Sequence, residues 1–420
     1  MTRSCRIVMN DKPGNTVIDS SLSSTPVAER IRISFFGRRN AGKSSLVNAI
    51  TGQPVAIVSE VKGTTTDPVQ KTMELLPLGP VVITDTPGLD DEGELGALRV
   101  ERTLAVLERT DLAVVVVAAT EADSAEVLEQ YAKLAAQLRE RKIPCVMALN
   151  QHDLVPADAE FAALAKLATP AAVLPVSAAT GEGVGALFAA LIKLAPEETR
   201  ARLVGDMLRP GDLVVLVTPI DTAAPKGRLI LPQQQVLRDI LDSHAVALVT
   251  QVPELRGVME RFAGQVSLVV TDSQAFAQVA AIVPASVRLT SFSILFARYK
   301  GDLRALMEGA AAVERLRDGD RVLIAEGCTH HRQEDDIGTV KIPRWLRERT
   351  GKELVFEHTR GIDYRKDLSS YALVVHCGGC MLNRREMMWR IAQAQKAGVP
   401  IVNYGVLIAY LKGILDRVKI

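Results

Sequence analysis

The chain has 420 residues, enough for about three domains of ordinary size. Its composition, 48% apolar and 24% charged, is that of a globular protein, and its longest purely apolar run, Leu112 to Ala119, is far shorter than a membrane span. Its 50 Lys and Arg against 49 Asp and Glu leave a formal charge of +1, unlike that of a dedicated nucleic-acid-binding protein. These values exclude a membrane-spanning protein, and the net charge does not indicate any class of binding partner.

The N-terminal sequence MTRSCRIVMNDKPGN lacks the apolar segment of a secretory signal. Five Cys residues, an odd number spread over a long chain, do not form the framework of a secreted disulfide-rich domain. We therefore expect reduced thiols and a cytoplasmic protein. Residues 1–26 are polar and without periodicity, which predicts a flexible arm.

From Ile31 onwards, short β-branched segments alternate with segments of helical length. The predicted strands are 32–36, 81–85, 112–118, 144–150 and 172–176, and the predicted helices are 100–107, 125–140 and 183–195. This alternation predicts a βαβ domain over residues 27–200 with a largely parallel sheet.

Two further alternations follow. The middle segment, residues 205–285, has predicted strands at 213–218, 245–250 and 266–271 and helices at 234–243 and 273–283, with no phosphate loop or metal-ligand cluster. The last segment, residues 286–420, has predicted strands at 321–326, 353–357, 371–376 and 400–404 and helices at 343–350 and 384–396. It carries 23 Lys and Arg against 16 Asp and Glu, so its charge is +7 and that of the preceding chain is −6. The asymmetry indicates either domains of complementary charge or a site for an anionic partner.

A phosphate-binding loop stands between the first predicted strand and a helical segment. Gly37-Arg-Arg-Asn-Ala-Gly42-Lys43-Ser44 fits the pattern G-x-x-x-x-G-K-S in the required context. Its glycines allow backbone N–H groups to surround phosphates, Lys43 adds a positive charge, and the Ser44 hydroxyl can bind Mg²⁺. The predicted phosphate-binding residues are Gly37, Asn40, Ala41, Gly42, Lys43, Ser44 and Ser45.

Three downstream loops complete the predicted nucleotide site, and two of them select guanine over adenine. Asp85-Thr-Pro-Gly88 ends a strand, so Asp85 can hold Mg²⁺ through its water shell while the Gly88 N–H meets the γ-phosphate. Asn150-Gln-His-Asp153 ends another strand, and the Asp153 carboxylate can accept guanine N1–H and N2–H₂. Ser177-Ala178 can present backbone N–H to guanine O6. Four loops at the carboxyl ends of strands predict a GTP site, and the fold class is α/β: a P-loop GTPase domain with a mostly parallel sheet, followed by two smaller α/β domains.

The segment Gly63-Thr-Thr-Thr-Asp67 supplies a hydroxyl for Mg²⁺ and the γ-phosphate, Thr65 first and Thr64 second. Here the sequence resembles the GTPases of the Era, Der and MnmE type, which share the T-T-x-D pattern. The resemblance implies that Asn40 helps to bind K⁺ and that K⁺ replaces part of an arginine finger. The catalytic residues would be Lys43, Thr65 and Gly88.

Two residues in these motifs predict a weaker GTPase: one should lower the rate of hydrolysis and the other should lower nucleotide affinity. Leu89, after the D-T-P-G motif, is apolar and cannot orient water as a Gln could, so we expect slow hydrolysis. Gln151 stands where the family has Lys, and loss of that side-chain stem predicts weaker nucleotide affinity.

Cysteines and histidines cluster in the last segment. Cys328-Thr-His330-His331 follows one predicted strand and His376-Cys377-Gly-Gly-Cys380 follows another, with 45 residues between His330 and His376. Both groups lie at carboxyl ends of strands, so they can meet in one crevice. Three thiols with imidazoles suit a tetrahedral Zn²⁺ or a [4Fe–4S] cluster held by three Cys. Spacing alone favours zinc, since structural zinc sites are common.

A GTPase domain followed by C-x-H, about 45 residues and H-C-x-x-C resembles the HydF family of iron–iron hydrogenase maturation GTPases. The stretches 225–232, 328–338 and 376–384 also look like that family, so the likeness covers roughly residues 27–420. It implies a homodimer formed by the middle segment and a [4Fe–4S] cluster on Cys328, Cys377 and Cys380, with His330 or His376 as a candidate fourth ligand. It also implies a scaffold on which a diiron precursor is assembled with radical-SAM maturases and delivered to apo-hydrogenase.

Two alternatives stay open. The first is an RNA- or ribosome-associated GTPase with a structural zinc, although the only G-x-x-G in the chain, Gly93 to Gly96, is acidic and lies in the GTPase segment. No nucleic-acid partner is therefore favoured. The second is a metal-binding interaction module whose GTPase is vestigial, as Leu89 and Gln151 allow.

Overall fold

The structure, a computed structural model, describes residues 25–52, 68–89, 102–103, 105–121, 124–155, 172–195, 202–219, 229–327, 336–361, 364 and 367–418. Residues 1–24 of the expected arm lie outside this set, as do Thr64, Thr65, Cys328 and His330. Within it, no helix combines the length and apolar composition needed to cross a bilayer.

The first sheet has six strands in the order β2-β3-β1-β4-β5-β6, and only the β2–β3 pair is antiparallel. They are β1 Ile31–Phe36, β2 Val69–Leu75, β3 Gly79–Asp85, β4 Leu112–Ala118, β5 Cys145–Asn150 and β6 Ala172–Pro175. All seven residues of β4 are buried, as expected for a central strand covered on both faces. The mostly parallel sheet agrees with the sequence prediction.

Helices cover both faces of this sheet: α1 Lys43–Thr51, α2 Ala125–Glu140 and α3 Val184–Leu194. In α2, Val127, Tyr131, Leu134 and Leu138 recur at the helical period and are buried. They pack in a core on one face, whereas residues of α1 and α3 pack in a core on the other. The result is a three-layer α/β/α unit.

Strand β2 was not predicted from the sequence. Its first four residues are exposed, and it pairs only with β3 among the described strands. A polar edge strand buries little apolar surface and leaves little hydrophobic pattern to detect.

The second sheet is parallel and has the order β10-β9-β7-β8. Its strands are β7 Leu213–Val217, β8 Val246–Thr250, β9 Val266–Thr271 and β10 Arg288–Ser291, and the helices beside it are α4 Leu231–Asp242, α5 Val252–Arg261, α6 Phe276–Ile282 and α7 Phe292–Lys300. Since β10 belongs to this sheet, the second sheet extends beyond residue 285, where the sequence analysis ended the middle segment.

The third sheet is also parallel, in the order β12-β11-β13-β14. Its strands are β11 Arg321–Glu326, β12 Val355–Arg360, β13 Leu373–His376 and β14 Ile401–Asn403, and its helices are α8 Leu303–Ala311, α9 Ile342–Thr350, α10 Arg384–Lys396 and α11 Tyr404–Leu411. Helix α7 belongs to both neighbouring cores, because Phe292 and Phe296 pack in the second core and Ile294 and Ala297 in the third.

Candidate functional sites: a nucleotide pocket and a cysteine loop

The phosphate-binding loop joins β1 to α1 and its glycines are required by space. A Cβ on Gly37 would lie 2.3 Å from the Val116 carbonyl oxygen. Gly42 has φ +85°, and a Cβ there would lie 2.1 Å from Asn150 Nδ2. Asn40 also has a positive φ, 60°, which Asn tolerates better than most residues. The loop is thus held close to β4 and β5.

Two of the residues assigned to Mg²⁺ from the sequence, Ser44 and Asp85, lie together in the described part of the chain. Ser44 Oγ donates a hydrogen bond to Asp85 Oδ2 at 2.5 Å. Asp85 is 3% exposed, and its Oδ1 is buried with no hydrogen-bond partner among the described residues. Burial raises the pKa of Asp85, while the Ser44 hydroxyl and the Lys43 ammonium oppose that shift. A buried carboxylate with an unpartnered oxygen beside a hydroxyl fits Mg²⁺ and its water shell.

Lys43 is buried at the start of α1 and binds the loop itself. Its Nζ donates to the carbonyl oxygens of Gly37 at 3.1 Å and Arg38 at 2.7 Å. Leu89, directly after Gly88, donates its backbone N–H to the same Gly37 oxygen at 3.2 Å. The loop containing Gly88 therefore lies against the phosphate-binding loop, as γ-phosphate recognition requires. Thr65 lies outside the described residues, so its place in this pocket stays a prediction.

Asn150 connects three of the four predicted loops. Its Nδ2 donates to the Ala41 carbonyl at 2.9 Å and its Oδ1 accepts the Ala178 N–H at 3.0 Å. Ser177 is fully buried beside it. Asp153, three residues after Asn150, is exposed. This amide fixes the base-recognition loops relative to the phosphate loop.

Gln151 makes a contact that the sequence analysis did not anticipate. With φ 64°, its Nε2 donates to the Asn40 carbonyl at 3.1 Å and its Oε1 accepts from Thr120 Oγ1 at 3.3 Å. The Gln151 side chain, although shorter than the Lys of the related GTPases, thus contacts the phosphate loop directly. Weaker nucleotide affinity caused by the missing Lys stays a prediction.

Cys377 and Cys380 lie between β13 and α10, at the carboxyl edge of the third sheet, in a segment that we call the cysteine loop (residues 377–383). Cys377 Sγ accepts backbone N–H groups from Gly327 at 3.1 Å and Gly379 at 3.4 Å. Gly327 is the last described residue before Cys328. Burial raises the pKa of Cys377 to about 11, and these two N–H groups act in the opposite direction. N–H donors on sulfur are typical of thiolate ligands of iron–sulfur centres, so the residues present fit such a group.

Cys328 and His330 lie outside the described residues. Within the described residues, no three His, Cys, Asp or Glu side chains converge on a possible metal position. The donor set predicted from the sequence is therefore represented here by Cys377 and Cys380, both half-buried.

His376 lies fully buried at the end of β13, and both of its ring nitrogens are engaged. Arg390 Nη1 lies 3.1 Å from Nε2, and Nδ1 lies 2.8 Å from the Cys377 carbonyl oxygen. Because a guanidinium only donates, Nε2 accepts and Nδ1 carries the proton. Burial, with the Arg390 charge second, lowers the pKa of His376 to about 3, so the ring is neutral. In this arrangement His376 presents no free nitrogen to a metal.

A chain of charged side chains, two of them buried, leads from His376 to the α/β/α unit of the first sheet. Arg390 donates to Glu386 at 2.6 Å, and Glu386 is held by two nitrogens of Arg109 at 2.9 and 3.0 Å. Asn383, at the N-terminus of α10, donates to the Arg109 carbonyl at 2.9 Å. Arg109 lies just before β4. The third unit, built around the third sheet, therefore contacts the amino edge of the first sheet, opposite the nucleotide loops.

Lys300, at the end of α7, lies beneath the cysteine loop. Its Nζ donates to the carbonyl oxygens of Leu382 at 2.8 Å, Cys380 at 3.2 Å and Gly379 at 3.5 Å. It also forms an ion pair of 3.1 Å with Glu29, just before β1. Burial raises the pKa of Cys380, and the Lys300 charge opposes that shift. Neither Lys300 nor Arg390 could be found from the sequence, because neither belongs to a local motif.

Comparison with known families divides the chain into three matched segments. Residues 203–301 match the hydrogen maturase F dimerization domain and residues 304–419 match the hydrogen maturase F tetramerization domain. Residues 32–151 match a model described as a 50S ribosome-binding GTPase. The N-terminal unit is therefore a GTPase domain, and the two other matches begin near the second and third sheets.

Individual relatives match part of the chain, and those named here are GTPases. GTPase Der of Prochlorococcus marinus is 34% identical over 187 residues, 42% of this chain and 40% of the relative. The tRNA modification GTPase MnmE of a Synechococcus strain is 36% identical over 174 residues, 39% of this chain and 34% of the relative. The matches thus span less than half the length of these relatives. A solved structure of Era from Aquifex aeolicus aligns with a TM-score of 0.35 and 20% identity, covering 56% of this chain and 98% of that one.

Proposed function

Because this chain belongs to the hydrogen maturase F (HydF) family, we propose that it is a GTP-hydrolysing scaffold and carrier. It binds a [4Fe–4S] cluster, on which the diiron precursor of an iron–iron hydrogenase active site is assembled and then delivered to the apo-hydrogenase. The radical-SAM maturases supply that precursor. The observation that supports the proposal most is the cysteine loop. It places two thiols at a sheet edge, and one of them, Cys377, accepts a hydrogen bond from Gly327, the residue before Cys328.

The chain's own groups have distinct roles at this loop. Cys328, Cys377 and Cys380 are the three thiolate ligands, and the Gly327 and Gly379 N–H groups stabilise sulfur charge on Cys377. His330 is the candidate fourth ligand, since both nitrogens of His376 are engaged. When bound, such a cluster supplies one exchangeable iron position for a bridging group of the precursor. The +7 charge of residues 286–420 favours an anionic cargo.

At the nucleotide pocket, Lys43 and the phosphate-loop amides hold the phosphates. Ser44, Thr65 and Asp85 hold Mg²⁺, and Asp153 reads guanine. Hydrolysis is slow because Leu89 cannot orient water. Asn40 contributes to a K⁺ site that speeds the reaction, and equal turnover in KCl and NaCl would contradict that role.

The location of the two sites limits how GTP can act. The nucleotide loops lie at the carboxyl edge of the first sheet, while the third unit contacts Arg109 and Asp111 at the amino edge. A seven-residue strand such as β4 separates these edges by about 20 Å. GTP therefore does not react at the cluster, and its hydrolysis acts through the contact between the two units.

Iron and acid-labile sulfide analysis of protein purified without oxygen tests the proposal. We expect about four iron and four sulfide per chain, as a [4Fe–4S] cluster requires. Zinc at one per chain without sulfide would contradict it and would favour an RNA-associated GTPase with a structural zinc.

The matched domains indicate an oligomer, and we propose that the second unit forms a homodimer through β8. This edge strand exposes Val246 (54%) and Val249 (42%), and Leu241 on α4 is 55% exposed. Within the described residues this edge has no strand beside it, and apolar side chains on such an edge favour strand pairing with a second copy.

Val249→Lys should break this pairing, because each copy would bring a charged side chain into the paired edge, where it would lose hydration. Light scattering should show about half the wild-type mass. Val69→Lys, the same change on the edge strand β2 of the first sheet, is the control and should leave the mass unchanged. An unaltered mass for Val249→Lys would exclude β8 from the interface.

A further inference from the structure

Lys300 is a buried cation whose donors face the cysteine loop. Its side chain is 2% exposed, and an ammonium has three N–H donors. These donors face the carbonyl groups of Gly379, Cys380 and Leu382 and the carboxylate of Glu29. Burying a charge is costly unless it is paired and hydrogen-bonded, so this arrangement holds the loop in one conformation.

The counter-ion of Lys300 comes from a different unit. Glu29 lies in the turn Val27–Glu29, two residues before β1, and its second oxygen accepts a hydrogen bond of 2.7 Å from the Tyr299 hydroxyl. Glu29 therefore binds two consecutive residues at the end of α7. The segment just before the GTPase domain thus supplies the carboxylate that offsets the Lys300 charge beneath the cysteine loop.

We propose that Lys300 is a positioning residue of the cluster-binding loop and that the Lys300–Glu29 pair sets the reduction potential of the cluster. This inference rests on the proposed function, because it assumes that Cys380 is a cluster ligand. Glu29 makes the potential depend on how the GTPase domain is docked.

The sign of each effect follows from charge. Reduction adds one negative charge to the cluster, so a nearby cation stabilises the reduced form and raises the potential. Glu29→Gln leaves Lys300 without its counter-ion and should raise the potential. Lys300→Met leaves the Glu29 carboxylate alone and should lower it. The double variant has the same net charge as the wild type and should return close to the wild-type potential.

Redox titration of full-length protein with its cluster, followed by the electron paramagnetic resonance signal of the reduced form, tests this. Two surface changes serve as matched controls: Lys193→Met, on α3 of the first unit, and Glu308→Gln, in an exposed ion pair on α8. Both controls should keep the wild-type potential. A role in folding alone would not produce shifts of opposite sign that cancel in the double variant.

Iron content measured on the same samples separates the possible failures. A wild-type protein without iron and sulfide would overturn the proposed function and this inference together. If all three proteins, the wild type, Glu29→Gln and Lys300→Met, have full iron content and the same reduction potential, the inference alone is overturned. If Lys300→Met loses iron while Lys300→Arg keeps it, the positioning role is supported, and the Glu29→Gln shift then decides the charge role.

Discussion

Cys377→Ala should lower the iron content from about four atoms per chain to less than about one. Cys377 is one of three proposed thiolates, and the sulfur that would be lost receives two backbone N–H groups. A neighbouring thiol cannot replace it, since Cys145 lies in β5 of the first sheet. Iron and sulfide analysis is the measurement, together with hydrogenase activation in a reconstituted maturation reaction, which should fail.

Cys145→Ala is the matched control for this prediction. It removes a half-buried thiol from the GTPase domain and should leave both iron content and activation at the wild-type level. The GTPase rate of Cys377→Ala should stay within about twofold of wild type, because the nucleotide loops belong to another sheet. Full activation by an iron-free Cys377→Ala protein would contradict the scaffold function.

Asp153→Asn should weaken GTP binding about tenfold or more and favour xanthosine triphosphate. The carboxylate can accept two hydrogen bonds from guanine, and a hydrogen bond to a charged group contributes about 1.5–3 kcal/mol. An amide can instead donate to the second carbonyl of xanthine. Competition binding of the two triphosphates measures the change.

Asp242→Asn is the control for the guanine prediction, because Asp242 is a partly exposed carboxylate on α4, paired with Arg238. Its preference for GTP should equal that of the wild type. If Asp153→Asn keeps the wild-type preference, the assignment of Asp153 to guanine recognition is wrong.

The elements that are buried and regular could be predicted from the sequence. Strands β4, β9 and β11 and helices α2 and α10 have the predicted bounds, because a buried strand is mostly apolar and a helix packed on a sheet repeats its apolar residues at the helical period. The phosphate loop could be predicted for a related reason. Its glycines fill spaces, beside Val116 and Asn150, that no side chain fits.

Other features of the two sites depend on tertiary structure alone. No residue type in the sequence indicates that Gln151 reaches Asn40, that Arg390 holds His376, or that Glu29 pairs with Lys300 across 271 positions. Such contacts depend on how separate sheets dock, and docking is decided by burial summed over many residues. Local motifs therefore determined which residues are candidates for binding nucleotide and metal. The packing of α7 and α10 decided which charges surround the cysteine loop.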